Sequence, residues 1–477
     1  MRKTKIICTI GPASENEEVL TQMCLAGMNV ARLNFSHGTH PEHEKKVELI
    51  KNVREKLNRP IAILLDTKGP EYRIKTFVNG KVTIKAGQIF TFTTDECEGD
   101  ETRVSVNYSN LHNEMAPGGE ITVCNGMVKF RVQEIDGHNI ICKCEVGGEM
   151  SNRKSMSFPN KVMSGPYLSE QDKADIIFGI QQGVDFVAAS FVSCAQDVLD
   201  IRKLLDENGG EDIEIVAKIE NQAGVDNVVE ICENCGGIMI ARGDLGVEIP
   251  FVEVPAVQKR LTRICRMMGK RVITATQMLE SMIHNTTPTR AEITDVANAV
   301  FDGTSAVMLS GETAIGDHPA LVVKVMSKIA AQAEKDAFEI GAYRAFADRD
   351  IDMGDATNAI CHAACTTARD LGAAAILTVT RSGYTAQHLS KFRPAEPIVA
   401  ATPDEKTYNQ LALCWGVYPI PAIYQPDTNV LVTHAVDCAK RFGYVKAGDR
   451  VVVTAGGTGE SGTTDVLKVQ VVPQPLK

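Results

Sequence analysis

Two short apolar runs of this chain end in charge. VAKIEN, over Val216–Asn221, places Lys218 and Glu220 two residues apart, and MIARGDLGVEIP, over Met239–Pro250, sets Arg242 and Asp244 either side of Gly243. A strand covered on both faces reads as continuous Val and Ile, so charge at its last residues needs a reason. In a parallel α/β protein that reason is a site, because ligands bind at the carboxyl ends of strands. A cation, two carboxylates and a glycine turn at neighbouring strand ends suit a metal-assisted reaction on an anionic substrate.

Such ends must be held in register by the chain around them. Eight apolar runs alternate with amphipathic stretches: Lys5–Thr9, Asn29–Leu33, Ala62–Leu65, Phe186–Ala189, Glu214–Ala217, Gly237–Ile240, Arg271–Ala275 and Ser305–Leu309. Helices read at Pro41–Leu57 and at Ser169–Gln182, the latter opened by Ser169 and Asp172 at a capping-box-like spacing. Alternation of this kind implies right-handed crossovers and parallel strands, and eight units close a (β/α)8 TIM barrel. Every run is followed by polar or glycine residues, among them LNFSHG, LDTKGPE, ASFVS, TATQM and LSGETA. Endings that recur in register define one functional rim.

The third unit is interrupted. From about Arg73 to Phe158 the helical period gives way to short alternating stretches such as FVNGKVTI and NIICKCEV, and Asn79-Gly80 between alternating flanks signals a hairpin. An all-β insert in a rim loop is placed to act as a lid. Beyond Gly341 a separate order follows: helices at Ala356–Leu371, Thr385–Phe392, Glu405–Cys414 and Asn429–Arg441, and strands at Ala374–Thr380, Ile398–Thr402, Val417–Pro421, Arg450–Thr454 and Val466–Val472. That order predicts an open α/β sheet with one antiparallel edge, after a short linker at Asp348–Asp355. The expected division is a TIM-barrel catalytic domain over 1–70 and 169–342, an inserted β-barrel lid domain over 71–168, and a C-terminal α/β regulatory domain over 343–477.

With 477 residues, about three domains of roughly 150 residues each are expected. No uninterrupted apolar run approaches the ~18 residues of a membrane span, and the amino terminus runs straight into a strand with no leader pattern. A net charge of −10 argues against a nucleic-acid partner. The fourteen cysteines are scattered, which fits a reduced, cytoplasmic protein better than a disulfide framework. Cys232 and Cys235 form a C-x-x-C with no second pair at zinc spacing, and Cys361 and Cys365 read as core residues on one helix face.

Taken together, VAKIEN, ARGDLGVEIP, VITATQML, PTRAEITDVANAVFDGTSAVMLSGETA, LNFSHG and LLDTKGPE closely resemble the pyruvate kinase family, over nearly the whole chain. The resemblance implies transfer of the phosphoryl group of phosphoenolpyruvate to ADP, giving ATP and enolpyruvate, which is protonated to pyruvate. It makes Lys218 the catalytic lysine, Arg32 and Arg73 the arginines that grip phosphate and nucleotide, and Thr276 the threonine near the face where enolpyruvate takes its proton. Ala241, Arg242, Gly243 and Asp244 fall in the substrate loop. Glu220 and Asp244 match the carboxylates for Mg2+ or Mn2+, and Asn34, Ser36, Asp66 and Thr67 match the K+ site. Asn34, His37, Arg73 and Lys154 fall on the nucleotide side, while Ser310 and Glu312 border the rim in support. Glu71 stands where potassium-independent members tend to carry lysine, so potassium dependence is expected.

The lid departs from the family pattern. Cys124-Asn125-Gly126 replaces an Asp-Asp-Gly turn, Arg153-Lys154-Ser155 replaces Lys-Lys-Gly, and Ser190-Phe191-Val192-Ser193 ends where the family has arginine. In the C-terminal region Thr380, Arg381, Ser382, Gly383 and Thr385, with Ser461, Gly462 and Thr463, resemble the family's effector pocket for a sugar phosphate or nucleotide; Thr/Ser/Gly loops can form anion-binding nests. The family likeness also implies a homotetramer. Two other readings are a phosphoenolpyruvate-using barrel of the dikinase type, which DTKGPE, KIEN and RGDLG do not favour, and a catalytically weakened regulatory paralogue, supported only by the lid.

Overall fold

The computed structural model describes residues 1–159, 161, 163–343, 355–423, 428–456 and 464–474. Eight parallel strands close a barrel in sequential order: β1 (Lys5–Thr9), β2 (Val30–Asn34), β3 (Ala62–Asp66), β4 (Phe186–Ala189), β5 (Glu214–Ile219), β6 (Gly237–Ala241), β7 (Arg271–Ala275) and β8 (Ala306–Leu309). The seam joins β1 to β8 with Lys5 opposite Ala306. β2, β3, β5 and β6 run one or two residues further toward the rim than the apolar pattern indicates. Asn34, Asp66 and Lys218 therefore belong to strands, and the ladder fixes their backbones.

Strand alternation divides the core. Ile7, Val30, Leu64, Phe186, Val216, Met239 and Ile273 fill the barrel interior, joined by Ala412 and Leu413 from the C-terminal region. Ile6, Cys8, Ile63, Val187, Ile215 and Ile238 point outward into the layer shared with the helices. The helices begin where capping predicts. Thr39 and Glu42 form a capping box at the start of His40–Leu57, and the Ser169 side chain accepts from the Asp172 N–H ahead of Glu170–Gln181.

Between β3 and β4 lies the all-β insert, a seven-stranded sheet and a two-stranded ladder around Phe90, Phe92 and Phe130. The outermost strands of the larger sheet, Tyr72–Arg73 and Arg103–Ser105, continue into a bridge between Ile74 and Val106. Hydrogen bonds from Lys75 N–H to Ser105 O (2.7 Å) and Asn107 N–H to Arg73 O (3.0 Å) curl the sheet back on itself. The Asn79-Gly80 hairpin needs correction. Gly80 does adopt a left-handed turn, φ 74°, but Lys81–Ile84 pairs with Gly148–Ser151 instead of the preceding run. That run is already engaged, since Val78 N–H donates to Gly99 O and Phe77 N–H to Asn152.

The C-terminal region is the expected open sheet, ordered β11 (Val417–Pro421), β10 (Ile398–Thr402), β9 (Ala375–Val379), β12 (Arg450–Ala455) and β13 (Val466–Val471), with β13 antiparallel to β12. The predicted helix Glu405–Cys414 divides into an α-helix to Gln410 and a 3-10 turn, Leu411–Leu413, whose Ala412 and Leu413 plug the barrel bottom. The expected linker falls outside the described residues apart from Asp355, which caps helix Ala356–Leu371. No helix among the described residues is long and apolar enough to cross a membrane. The fourteen cysteines are free thiols, and Cys232 lies 3.6 Å from Cys265, Sγ to Sγ.

Candidate active site

β5 carries the central side chain. Lys218 Nζ lies 3.0 Å from Glu220 Oε1 and 3.1 Å from Asp66 Oδ1, and donates to Ser190 Oγ at 2.7 Å. Burial pulls the ammonium pKa down, but Asp66 and Glu220 outweigh it and hold Lys218 above the ordinary lysine value, so the charge is retained. Asp66 is 1% exposed; burial opposes its ionisation, yet Arg32 and then Lys218 keep it below the usual carboxylate range. Arg32 Nε donates to Asp66 Oδ2 at 2.6 Å and its Nη1 to Thr9 Oγ1 at 2.9 Å. Two cations, from β2 on one side and β5 on the other, are thus fixed on one buried acid.

Glu220 is fully buried. Burial pushes its carboxyl up to about 7; Lys218 opposes that rise, while Asp244 and Asp66 add to it. Its Oε2 accepts from Phe191 N–H at 2.6 Å, and its Oε1 is held by the Lys218 ammonium at 3.0 Å. Among the described residues no group of three or more His, Cys, Asp or Glu is arranged to hold a metal ion. Two carboxylates fit an ion that keeps water and substrate oxygens for its other positions, as magnesium does. Glu220 Oε1, with the Lys218 ammonium as its partner, keeps a lone pair that fits such an ion.

The end of β4 supplies the supports. Ser190, 1% exposed, accepts from Lys218 and donates to Thr67 O at 2.7 Å. Phe191, at φ 57°, holds a left-handed backbone that turns its N–H onto Glu220. Gly69 makes the close approach possible: at φ 72° it has no Cβ, and one placed there would lie 2.7 Å from Ser190 Cβ. Sequence reasoning placed Ser190 and Phe191 on the rim, within the ending ASFVS, but gave them no role. Their polarity at a strand end was the available signal; the strained φ was not.

β7 ends in two further left-handed residues, Thr276 (φ 71°) and Gln277 (φ 53°). Such strain costs about 1–3 kcal/mol at each position and persists only where surroundings enforce it. Thr276 Oγ1 accepts from Gly243 N–H at 2.8 Å and donates to Ala275 O at 2.6 Å. Gly243 lies in the short helix Arg242–Glu248, with Ala241 as its N-cap. The Arg242 guanidinium turns toward β7, donating to Thr276 O at 2.7 Å and pairing with Asp295 at 2.7 Å, and it does not line the cavity below. Glu312, fully buried, accepts from the N–H groups of Leu279 and Ser310 and so braces the same rim.

A cavity of about 480 Å³ opens between the rim and the insert. Of the predicted residues, Arg32, Asn34, Ser36, His37, Arg73, Lys218, Glu220 and Asp244 line it. Asp66 and Thr67 lie beneath, and Asn34 stands directly opposite Asp66 in the β2–β3 ladder. These oxygen donors are engaged: Asn34 Oδ1 accepts from Ser36 N–H at 3.1 Å and Thr67 Oγ1 from Ser190 N–H at 3.1 Å. Glu71 sits between Lys68, at 2.9 Å, and Arg73; burial opposes these hydrogen bonds, which still hold its carboxyl low. Lys154 is exposed on the insert and does not line the cavity. Sequence reasoning missed Glu248, which faces Ser157 of the insert and is pushed up to about 7 by burial.

In the C-terminal sheet, Thr380 Oγ1 accepts from Gly383 N–H at 2.9 Å, Arg381 O accepts from Thr407 Oγ1 at 2.7 Å, and Thr385 meets Thr464 at 2.7 Å. Arg381 and Ser382 are exposed on this turn. Ser461, Gly462 and Thr463 lie outside the described residues.

Family models described as the barrel domain and the alpha/beta domain of pyruvate kinase match residues 1–323 and 358–470. A pyruvate kinase from Clostridium acetobutylicum is 48% identical over 475 residues, covering 99% of this chain and all of that protein. One from Geobacillus stearothermophilus is 47% identical over 485 residues, and the match spans 81% of that longer protein. The crystal structure of a pyruvate kinase from Cryptosporidium parvum aligns with TM-score 0.93 at 38% identity, covering 99% of this chain and 96% of that one. Barrel, insert, C-terminal sheet and rim chemistry agree with these likenesses, and the chain belongs to the pyruvate kinase family.

Proposed function

We propose that this chain transfers the phosphoryl group of phosphoenolpyruvate to ADP, forming ATP and enolpyruvate, which gains a proton at C3 to become pyruvate. The observation that carries the reading is Lys218, kept charged by Asp66 and Glu220 beside Arg32 on an open cavity. Phosphoryl transfer is mostly positioning and charge neutralisation. Lys218 and Arg32 neutralise the group in flight, and Ser190 keeps the ammonium from collapsing wholly onto its acids. Arg73, His37, Asn34 and Lys154 serve the nucleotide, with the insert of residues 71–168 acting as lid over a barrel of 1–70 and 169–342. Gly243 and Asp244, beside Ala241 and Arg242, present the substrate loop, and Thr276 relays or orients the proton donor.

Glu220 and Asp244 are the residues to hold Mg2+ or Mn2+, and Asn34, Ser36, Asp66 and Thr67 those to hold K+; both ions, when bound, supply positive charge to phosphate oxygens. The C-terminal region, 343–477, is assigned to regulation by a sugar phosphate or nucleotide at Thr380–Thr385, in a cytoplasmic homotetramer. ATP formation from phosphoenolpyruvate and ADP, with magnesium and potassium present, is the direct test; its absence overturns the reading. Replacing potassium by tetramethylammonium is expected to lower the rate by about tenfold or more.

A further inference from the structure

The left-handed turn at Thr276 and Gln277 is unfavourable for any side chain, and doubly so for a β-branched one. One guanidinium accounts for its persistence. Arg242 donates from Nη2 to Thr276 O at 2.7 Å and from Nε to Ala275 O at 3.3 Å, with Met278 Sδ at 3.0 Å from Nη2. Three contacts, on residues 275, 276 and 278, hold the turn from outside. Arg242 is itself oriented by Asp295 Oδ1 at 2.7 Å from Nη1, and more weakly by Gln258 Oε1 at 3.4 Å. Asp295 is carried on helix Arg290–Asp302, which follows β7 and also braces the turn region through Glu292 on Ser281. The hydroxyl at stake is Thr276 Oγ1, aimed at Gly243 N–H at 2.8 Å.

We propose that Asp295 is a positioning residue for the proton step of this reaction. It never meets substrate; it fixes the guanidinium of Arg242, the guanidinium fixes the carbonyls of Ala275 and Thr276, and the strained turn thereby sets the direction of the Thr276 hydroxyl. A planar fork with five donors can serve carbonyls and a carboxylate at once. Lysine at 242 could not do so, and arginine without its carboxylate would be free to swing. This inference rests on the assignment of Thr276 to the face where enolpyruvate is protonated. Phosphoryl transfer is centred on Lys218 and Arg32, so loss of the clamp is expected to weigh more heavily on the proton step.

Two rates on the full-length enzyme separate the steps. One is single-turnover ATP formation from phosphoenolpyruvate and ADP; the other is loss of pyruvate methyl protons to D2O, followed by proton NMR with ATP, magnesium and potassium present. Asp295→Ala is expected to slow methyl exchange about tenfold or more beyond any effect on ATP formation. Asp295→Glu should restore most of the exchange, and Asp295→Asn, which keeps the shape without the charge, should fall between. Thr276→Ala is the control. If both rates of Asp295→Ala and Asp295→Asn fall in step, or exchange stays at the wild-type rate while Thr276→Ala loses it, the clamp is overturned. If Thr276→Ala also exchanges at the wild-type rate, the assignment of Thr276 itself is what fails.

Discussion

Lys218 illustrates why one residue can be both catalytic and structural. Its ammonium is the shared counter-charge of two acids that are almost wholly buried, Asp66 and Glu220. Lys218→Met should lower kcat by about a hundredfold or more, a loss of ~2.7–4 kcal/mol in transition-state stabilisation. It should also lower the thermal midpoint, because removing one partner of a buried pair strands the other charges. A variant that keeps wild-type turnover rules out the catalytic role, and an unchanged midpoint rules out the structural one. Much of this centre was legible in the residues. Lys218 and Glu220 are charges at the end of an otherwise apolar run, and that contradiction marked them; Asp66 and Arg32 were named through the family resemblance. The direction of Arg242 was not legible: its place beside Gly243 and Asp244 puts it in the substrate loop, and the structure turns its guanidinium onto the β7 carbonyls. Nothing in the local sequence predicts which way a long side chain turns when its carboxylate partner lies 53 residues further on.

Elements decide how tightly those side chains can be grouped. The β3 and β4 ends approach closely enough for Ser190 to reach both Thr67 and Lys218 only because position 69 lacks a side chain. Gly69→Ala should therefore destabilise by at least about 1 kcal/mol, since φ there is positive and the new methyl meets Ser190. It should also reduce kcat by about tenfold or more through displacement of Ser190 and Lys218. Thermal unfolding and steady-state kinetics on one preparation check both; a silent substitution would show that the loop yields without cost. The barrel strands were readable because buried parallel strands are continuous apolar runs, and their number gave the closure. The insert was less readable. Period-two alternation announced β structure there, but pairing is set by distant partners, as when Lys81–Ile84 joins Gly148–Ser151 across the whole insert.

At the scale of the molecule, the barrel bottom and the C-terminal sheet share buried cations. Lys5, 3% exposed, donates from Nζ to Val417 O at 2.6 Å and lies 4.9 Å from the Tyr418 ring centroid. Burial, with Arg2 adding its repulsion, depresses the Lys5 pKa to about 7. Between that value and the ordinary lysine range the folded chain binds fewer protons than the unfolded one, so this group's contribution makes stability rise as pH increases from about 7 toward 10. The slope is at most about 1.4 kcal/mol per pH unit. Thermal midpoints of wild type and Lys5→Met, measured from pH 7 to 9.5, should therefore diverge in favour of wild type as pH rises. Parallel curves would mean that Lys5 is charged in the folded state throughout.

The seam between β1 and β8 carries a consequence for biosynthesis. Lys5 leaves the ribosome some three hundred residues before Ala306, its ladder partner on β8. Until then the edge of Lys5–Thr9 that faces β8 in the folded barrel has no partner strand to pair with. Open edges of this kind recruit other chains, and closure over so long a separation is slow. Translation pauses before residue 309 should therefore trap the growing polypeptide in a sticky, chaperone-dependent state.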